Sequence, residues 1–215
     1  MTPQDTYHHG NLRRALMGGA LAIIRERGLG ALSLREVAAA AGVSTAAPYH
    51  HFADKGALVR SLGYEALGRL DERMAEAEAA AGDDPHERLL AIGEAYVGFA
   101  LERPDYYAAM RSHEMTEPHG PEPAEEHGET WERLVRAVAA CQQAGQLPAG
   151  DAVVTAVGMW SLVHGLADLV TSGPLLAMPQ AADGAGGFVR SVLSSMIVAQ
   201  AAAAPGMSAA PGRSS

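Results

Sequence analysis

The sequence predicts an all-α protein, with a short N-terminal helix-turn-helix module followed by a larger helical domain. Apolar residues recur at three- and four-residue steps along most of the chain, which is the spacing of one helix face. They make up 48% of the 215 residues while aromatic residues make up only 5%, which indicates a core of Leu, Val, Ala and Met. No credible strand and no internal repeat is found.

Charge is divided unevenly along the chain and supports two parts. Residues 1–64 carry seven Lys or Arg against four Asp or Glu, whereas residues 65–215 carry nine against twenty-one. A mildly basic head on an acidic body is typical of a small nucleic-acid-binding module joined to a domain that does not touch nucleic acid. The net charge of −9 therefore does not argue against a nucleic-acid partner.

Composition also indicates the cellular compartment and excludes some kinds of chemical site. No stretch reaches the roughly 18 apolar residues that span a bilayer, and no apolar signal core is seen, so a cytoplasmic location without a membrane partner is expected. Cys141 is the single cysteine, which excludes an internal disulfide and a cysteine-rich metal site. We expect it to fill a small space in the core rather than to act as a reactive thiol.

The head is expected to span residues 9–54, after a flexible segment of residues 1–8. A first amphipathic helix runs from Leu12 to Gly28. Ser33 with Glu36 three residues on forms a capping-box pattern for a second, short helix that ends at Gly42. Ser44 or Thr45 can cap a third helix through His50.

The larger domain is expected over residues 55–200. Asp54 can cap a long linking helix, 55–80, and further helices follow to about residue 200. The helix after Pro85 is expected to stop before Pro104. Residues 114–128 hold prolines and glutamates without apolar periodicity, which predicts a surface loop. Residues 201–215 are expected to form a disordered tail of Ala, Pro, Gly and Ser.

The residues around the glycine turn resemble a known family. Two short helices with Gly42 between them match a helix-turn-helix. The runs that carry the likeness are LSLREVA at 32–38, AGVS at 41–44 and PYHHFADKGAL at 48–58. They resemble the signature of the TetR family of bacterial transcriptional regulators over about residues 9–70. The resemblance implies a regulator, not an enzyme, that binds double-stranded operator DNA and needs no cofactor.

The third helix supplies most of the expected DNA contacts. Small residues at its N-terminal end would let the backbone approach base edges in the major groove, while Tyr49 and Lys55 would hold phosphates. Phe52 is expected to plug the core of the head, and His51 either contacts phosphate or packs internally. A solvated helix start is the other interpretation of Lys55. The predicted DNA-binding residues are Ser33, Ser44, Thr45, Ala46, Ala47, Tyr49, His50, His51 and Lys55.

A second pattern lies in the run WSLVHGLAD at 160–168, which resembles the Trp-His-Gly pattern of one TetR subgroup. Trp160, His164 and Asp168 recur every four residues and share one helix face, where Asp168 could accept a hydrogen bond from the imidazole. This face is either the wall of a ligand cavity or the site of a satisfied core histidine. The other candidate cavity residues are Tyr96, Phe99, Tyr106, Met110 and Trp131.

A dimer interface is predicted on the last two helices. Gly158, Gly165 and Ser172 recur every seven residues and leave a smooth stripe for a neighbouring helix. The wide apolar face of the last helix adds Phe188, Val189, Val192, Leu193, Met196 and Ile197. The family resemblance implies a homodimer on a palindromic operator. It also implies a repressor that a small lipophilic effector releases by displacing the long linking helix.

Two other functions are considered. A hydrolytic metal centre could use His113, Glu114, His119 and His127, but Pro118 and the six-residue step break the spacing that a helical site needs, so no metal is expected. A DNA-binding dimer without any small-molecule sensor is the second alternative.

Overall fold

The computed structural model describes residues 3–116, 129–173 and 184–202, and these ranges contain helices and no strand, so the predicted all-α fold is confirmed. Side chains are described from residue 12 onward, apart from 117–128, 174–186 and 198–215. The helices are α1 (Pro3–Arg27), α2 (Leu34–Ala40), α3 (Lys55–Ala80), α4 (Pro85–Glu102), α5 (Pro104–Met110), α6 (Glu129–Gln143), α7 (Ala152–Thr171) and α8 (Gly184–Ala202).

The second helix forms where the sequence predicts it. Ser33 accepts a hydrogen bond from the backbone N–H of Glu36 at 3.2 Å, and its hydroxyl donates to the Glu36 carboxylate at 3.0 Å. Gly42 ends the turn at φ +68°, a conformation that costs a glycine little, and the N–H of Val43 closes it on the Ala38 carbonyl at 3.0 Å. The capping box and the glycine stop are both present.

The third element differs from the predicted helix. After two turn residues the chain forms a 3₁₀ helix over Ala47–His50, and no side chain caps its start. Pro48 is buried within it and has no N–H, so the segment closes with short bonds such as Tyr49 N–H to the Ala46 carbonyl at 3.2 Å. Phe52 is buried in the head, as expected.

Helix α3 joins the head to the body. Asp54 accepts from the N–H of Ala57 at 2.7 Å, so the predicted cap is present. One buried stripe follows the whole helix and consists of Leu58, Leu62, Ala66, Leu70 and Met74. The stripe belongs to one continuous core that includes residues of the helix-turn-helix and of the body, where α3 packs mainly against α4 and α5.

Three boundaries depart from the expectations. Helix α1 begins at Pro3, inside the segment 1–8 that was expected to precede it, and proline is tolerated in a first turn. Pro104 likewise begins α5, a short helix that the sequence interpretation missed. Helix α8 continues to Ala202. The predicted loop at 114–128 starts with a 3₁₀ turn, His113–Met115, and otherwise lies outside the described residues, as does the tail beyond Ala202.

Helix α5 ties the body to the first helix of the head. Arg25 on α1 donates to the Asp105 carboxylate at 2.9 Å, and Arg103 donates to the same carboxylate at 3.2 Å. Asp105 is 1% exposed. Burial raises the pKa of the Asp105 carboxyl, but bonds from Arg103 and the N–H of Tyr106, together with the charges of Arg103 and Arg25, more than offset this and hold the pKa below its ordinary value.

We expect Asp105→Asn to lower the free energy of unfolding by about 2 kcal/mol at pH 7, because it removes a buried charge from two guanidinium partners. Because the pKa of Asp105 is lower in the folded state, its contribution is complete at neutral pH and is lost as pH falls below about 4. Urea unfolding at pH 7 and at successively lower pH measures both effects.

The matched control is Asp83→Asn, since Asp83 is fully exposed and pairs only with the exposed Arg88. An equal loss of stability in both variants, or a difference for Asp105 that does not shrink in acid, would contradict the assigned role.

Candidate DNA-binding surface and ligand cavity

The residues expected to touch bases form one exposed stretch on the head. Ser44, Thr45, Ala46 and His50 are exposed, and the Tyr49 ring is 61% exposed although it is a large aromatic side chain. These side chains come from the turn and the 3₁₀ helix, which are held from below by buried Pro48 and Phe52. The arrangement presents small and polar groups on a supported backbone.

The remaining predicted DNA-binding residues are less accessible. Ala47 and His51 are half-buried, and Ser33 is half-buried with its hydroxyl engaged by Glu36. Lys55 is also half-buried, and its ammonium donates to the Leu29 carbonyl at 3.2 Å. This bond fixes the position of the Lys55 charge at the start of α3. An ammonium carries three N–H donors, so two remain for other contacts.

A cavity of about 650 Å³ lies in the body, between α3, α4, α6, α7 and α8. Its wall is predominantly apolar and consists mainly of Leu, Ile, Val and Met side chains. The structure places five of the eight predicted cavity residues on this wall: Tyr96, Met110, Trp131, Trp160 and His164. The two tryptophan rings meet edge to face with centroids 6.3 Å apart.

The other three predicted cavity residues lie elsewhere. Phe99 is buried in the core off the cavity wall, and the Tyr106 hydroxyl turns to the Glu65 carboxylate on α3 at 2.6 Å. Asp168 is close to the cavity but is occupied by groups on α5 and just beyond it. Helix periodicity predicts which residues share a face, but it does not predict which neighbouring element that face contacts. This is why Phe99, Tyr106 and Asp168 were expected on the cavity wall and lie elsewhere.

The hydrogen bond expected between His164 and Asp168 is wrong. His164 Nδ1 instead shares a 2.6 Å hydrogen bond with the Tyr96 hydroxyl on α4. Asp168 accepts from the Tyr107 hydroxyl at 2.9 Å and from the guanidinium of Arg111. Tyr107 and Arg111 were missed because α5 was missed, and adjacent tyrosines after Pro104 were the available signal.

These contacts determine protonation at the polar end of the cavity. Burial lowers the pKa of His164, the charge of Arg111 lowers it further, and the charge of Asp168 opposes both with a smaller effect. Burial raises the pKa of Tyr96 to about 12. At neutral pH the imidazole and the phenol are therefore both uncharged, so the Tyr96–His164 bond joins two neutral groups.

One face of α7 is apolar and open. Gly158, Gly165 and Ser172 are exposed, and a Cβ placed on either glycine would meet no neighbouring atom within 4 Å. Val154 beside them is 69% exposed. Among the described residues, α7 is also the one helix that is long and apolar enough to cross a membrane by length and composition, a test that core helices of soluble proteins pass as well.

The predicted face of α8 is only partly available. Val189, Leu193 and Ile197 are buried inside the protomer, and the last two line the cavity, so they offer little surface to a second copy. Phe188 and Val192 are half-buried against the core. Met196 is exposed. The inward turn follows from Gly93 on α4, where the missing Cβ makes room for the Leu193 side chain.

Within the described part of the chain, one group of potential metal ligands comes together, formed by Asp84, His86 and Glu87. Asp84 caps α4 by accepting from the N–H of His86 at 3.1 Å and also accepts from Gln146 at 2.6 Å, so a capping role accounts for it. His119 and His127 lie outside the described residues. Cys141 is fully buried, and burial raises the pKa of its thiol to about 11, which fits the expected core role.

Family comparisons match both parts of the chain. The family described as "Bacterial regulatory proteins, tetR family" matches residues 16–62, and "Tetracyclin repressor-like, C-terminal domain" matches residues 89–193. The Trp-His-Gly subgroup is not confirmed. A curated relative, the "HTH-type transcriptional regulator BetI" of Rhizobium meliloti (strain 1021), is 38% identical over 81 residues, which are 37% of this chain and 39% of that protein.

Solved structures share the whole architecture. A protein of unknown function from Rhodococcus sp. RHA1 is 31% identical with a TM-score of 0.72, covering 94% of this chain and 98% of that one. The TetR family regulator PfmR from Thermus thermophilus has a TM-score of 0.64 at 19% identity, covering 85% of this chain and 93% of its own. At that identity the second likeness shows the fold alone.

We expect Arg111→Gln to raise the pKa of His164, because it removes a positive charge that lowers the pKa and frees the negative charge of Asp168 to raise it. Titration of the His164 ring by NMR measures the change. Arg88→Gln is the control, since Arg88 pairs with exposed Asp83 outside the cavity wall. An unmoved His164 titration in Arg111→Gln would show that the two groups are not coupled.

Proposed function

The chain belongs to the tetR family of bacterial regulatory proteins, and from that premise we propose that it is a cytoplasmic repressor. In this proposal a dimer binds a palindromic operator and a small apolar effector releases it. The observation that carries the proposal is the pairing of an exposed Ser44–His50 stretch on the head with a cavity of about 650 Å³ in the body. The cavity favours a sensor over a DNA-binding dimer without one.

The DNA contacts divide into base readers and phosphate holders. Thr45 and Ala46 stand exposed at the tip of the turn, where they would face base edges in the major groove. Tyr49 has an exposed hydroxyl-bearing ring and Lys55 a charge fixed by Leu29, and both would bind the backbone. Because Lys55 also holds the loop after α1, its phosphate contact would orient the whole head.

A second copy of the chain would cover the open face of α7. Gly158, Gly165 and the exposed Val154 form a surface that an antiparallel copy of the same helix can approach closely. Met196 on α8 would extend the contact. A two-fold arrangement places two heads on two half-sites about one helical turn apart, ~34–36 Å, or a multiple of it.

The segment after α5 would connect the cavity to the head. Arg111 and Ser112 line the cavity, and Met115 three residues on packs its side chain against Gly63 of α3, where any Cβ would overlap its sulfur. Asp105 on the preceding helix, α5, bonds Arg25 of α1. A ligand that moves this segment would shift α3 and α1 together, and it would weaken DNA binding by as much as DNA weakens ligand binding.

We expect selection from random duplex DNA to return a palindromic site. We expect the substitution Lys55→Ala to weaken binding to the selected site and to random DNA alike. Removal of one phosphate contact should lower the salt slope of binding by about one. Fluorescence anisotropy over a salt series measures the slope. Arg88→Ala, which removes a cation from the acidic body, is the control and should leave the slope unchanged.

Failure to enrich any site would contradict operator binding, and an unchanged slope in folded Lys55→Ala would contradict the phosphate role. Thr45→Ala serves as the contrast, because it should change which bases are preferred rather than the slope. Uniform loss across all sequences would contradict its role in reading bases.

For the dimer we expect Gly165→Arg to weaken self-association by about tenfold or more, since it places a long charged side chain on an apolar contact. The protomer should stay folded because nothing in the same chain lies within 4 Å of the new Cβ. Sedimentation velocity measures the association, and circular dichroism confirms folding.

Gly68→Arg is the matched control: Gly68 is an exposed helical glycine on α3 with the same open space around it. Equal weakening by both substitutions would show a general effect of charge, and unchanged association in Gly165→Arg would place the interface elsewhere.

A further inference from the structure

We infer that the cavity takes a neutral, largely apolar molecule that carries one hydrogen-bond acceptor oxygen, such as a carbonyl. The Tyr96–His164 pair and Ser112 receive this oxygen at the polar end of the cavity. The inference rests on the proposed function, because it treats this cavity as the effector site. It goes further by stating which chemical class enters and which classes are refused.

The charges on the cavity wall disfavour binding of an ionic ligand. Arg111 is the one charged residue among the described cavity-lining residues, and its guanidinium is already bonded to Asp168 and lies 5.3 Å from the centre of the Tyr107 ring. The charge of Arg111 is balanced by Asp168, so a carboxylate entering the cavity would meet a neutralised pair rather than an unbalanced cation. A cationic ligand would find no unpaired carboxylate on the described wall. Either ion would lose hydration beside a wall that offers no unbalanced opposite charge, and burying a charge in this way is costly.

The Tyr96–His164 pair has one spare hydrogen-bond donor, whichever of the two residues donates the bond between them. A neutral phenol and a neutral imidazole carry two polar hydrogens between them, and their mutual 2.6 Å hydrogen bond uses one. The second hydrogen is then either on Nε2 of His164 or on the Tyr96 oxygen. Both residues line the cavity, and in the proposal this donor meets an acceptor on the ligand.

Ser112, next to Arg111 in the chain, is another polar group on the cavity wall. It is 7% exposed, and its hydroxyl oxygen has no hydrogen-bond partner among the described residues. A buried hydroxyl without a hydrogen-bond partner is energetically unfavourable. Ser112 already lines the cavity wall, and rotation about its single side-chain torsion would direct its hydroxyl toward an oxygen of a bound ligand. A ligand with one acceptor oxygen would satisfy Ser112 and the spare donor together.

The two tryptophans of the chain make the inference measurable. Both Trp131 and Trp160 line the cavity, so intrinsic fluorescence reports its occupancy directly. The probes are four eight-carbon molecules: 2-octanone, octane, octanoate and octylammonium. We expect 2-octanone to bind about twenty-fold more tightly than octane, from two hydrogen bonds, and at least about tenfold more tightly than either ion.

Two variants assign the contacts. Ser112→Ala should weaken 2-octanone about three- to five-fold and leave octane unchanged. The double variant Tyr96→Phe with His164→Phe keeps the apolar bulk and should likewise weaken 2-octanone about three- to five-fold. Retained octane binding shows that the cavity is intact in each variant. Ser61→Ala, a serine on α3 that does not line the cavity, is the matched control.

The inference is overturned if either ion binds as tightly as 2-octanone, if 2-octanone and octane bind equally, or if no probe changes the fluorescence. Operator binding, measured in the same samples by anisotropy, separates this result from the proposed function. Should 2-octanone bind with the expected preference while operator DNA stays bound, effector release fails and the ligand class stands. Operator binding without any probe binding overturns the ligand class and leaves the DNA-binding function standing.

Discussion

One helix, α3, runs through a single hydrophobic core that includes residues of both the head and the body, and the rest of the molecule depends on this. The buried stripe of α3 begins at Leu58 inside the head and ends at Met74 inside the body. Because a packed interior resists small displacements, the head and the body cannot shift along α3 independently of each other. The head is held a second time by the bond from Arg25 to Asp105, so it is attached through α1 as well as through α3.

Local signals in the sequence were sufficient for most of the head. The Ser33 cap, the Gly42 turn and the Asp54 cap each involve residues within a few positions of one another, and each is present in the structure. The recognition segment was placed correctly but forms a 3₁₀ helix instead of the expected helix, because Pro48 within it has no N–H to donate. Local chemistry thus determines where an element lies more reliably than which hydrogen-bond ladder it adopts.

The body was harder to predict because its site is built from contacts distant in sequence. His164 bonds Tyr96, 68 positions away, and Asp168 bonds Tyr107 at a separation of 61. Periodicity identified the face that Trp160, His164 and Asp168 share, but it could not reveal that α5 supplies the partners. The same limit explains Leu193 and Ile197, since an apolar face looks alike whether a cavity or a second protomer lies beyond it.

Lys55 is the only lysine of the chain, and this has a practical consequence. Chemistry directed at side-chain amines has one target, and that target is half-buried at the start of α3, bonded to the loop that follows α1. Immobilisation through lysine would therefore attach the molecule by the end of the head that carries its DNA-binding segment. A tether or dye on an exposed engineered cysteine in the acidic body would leave that end free.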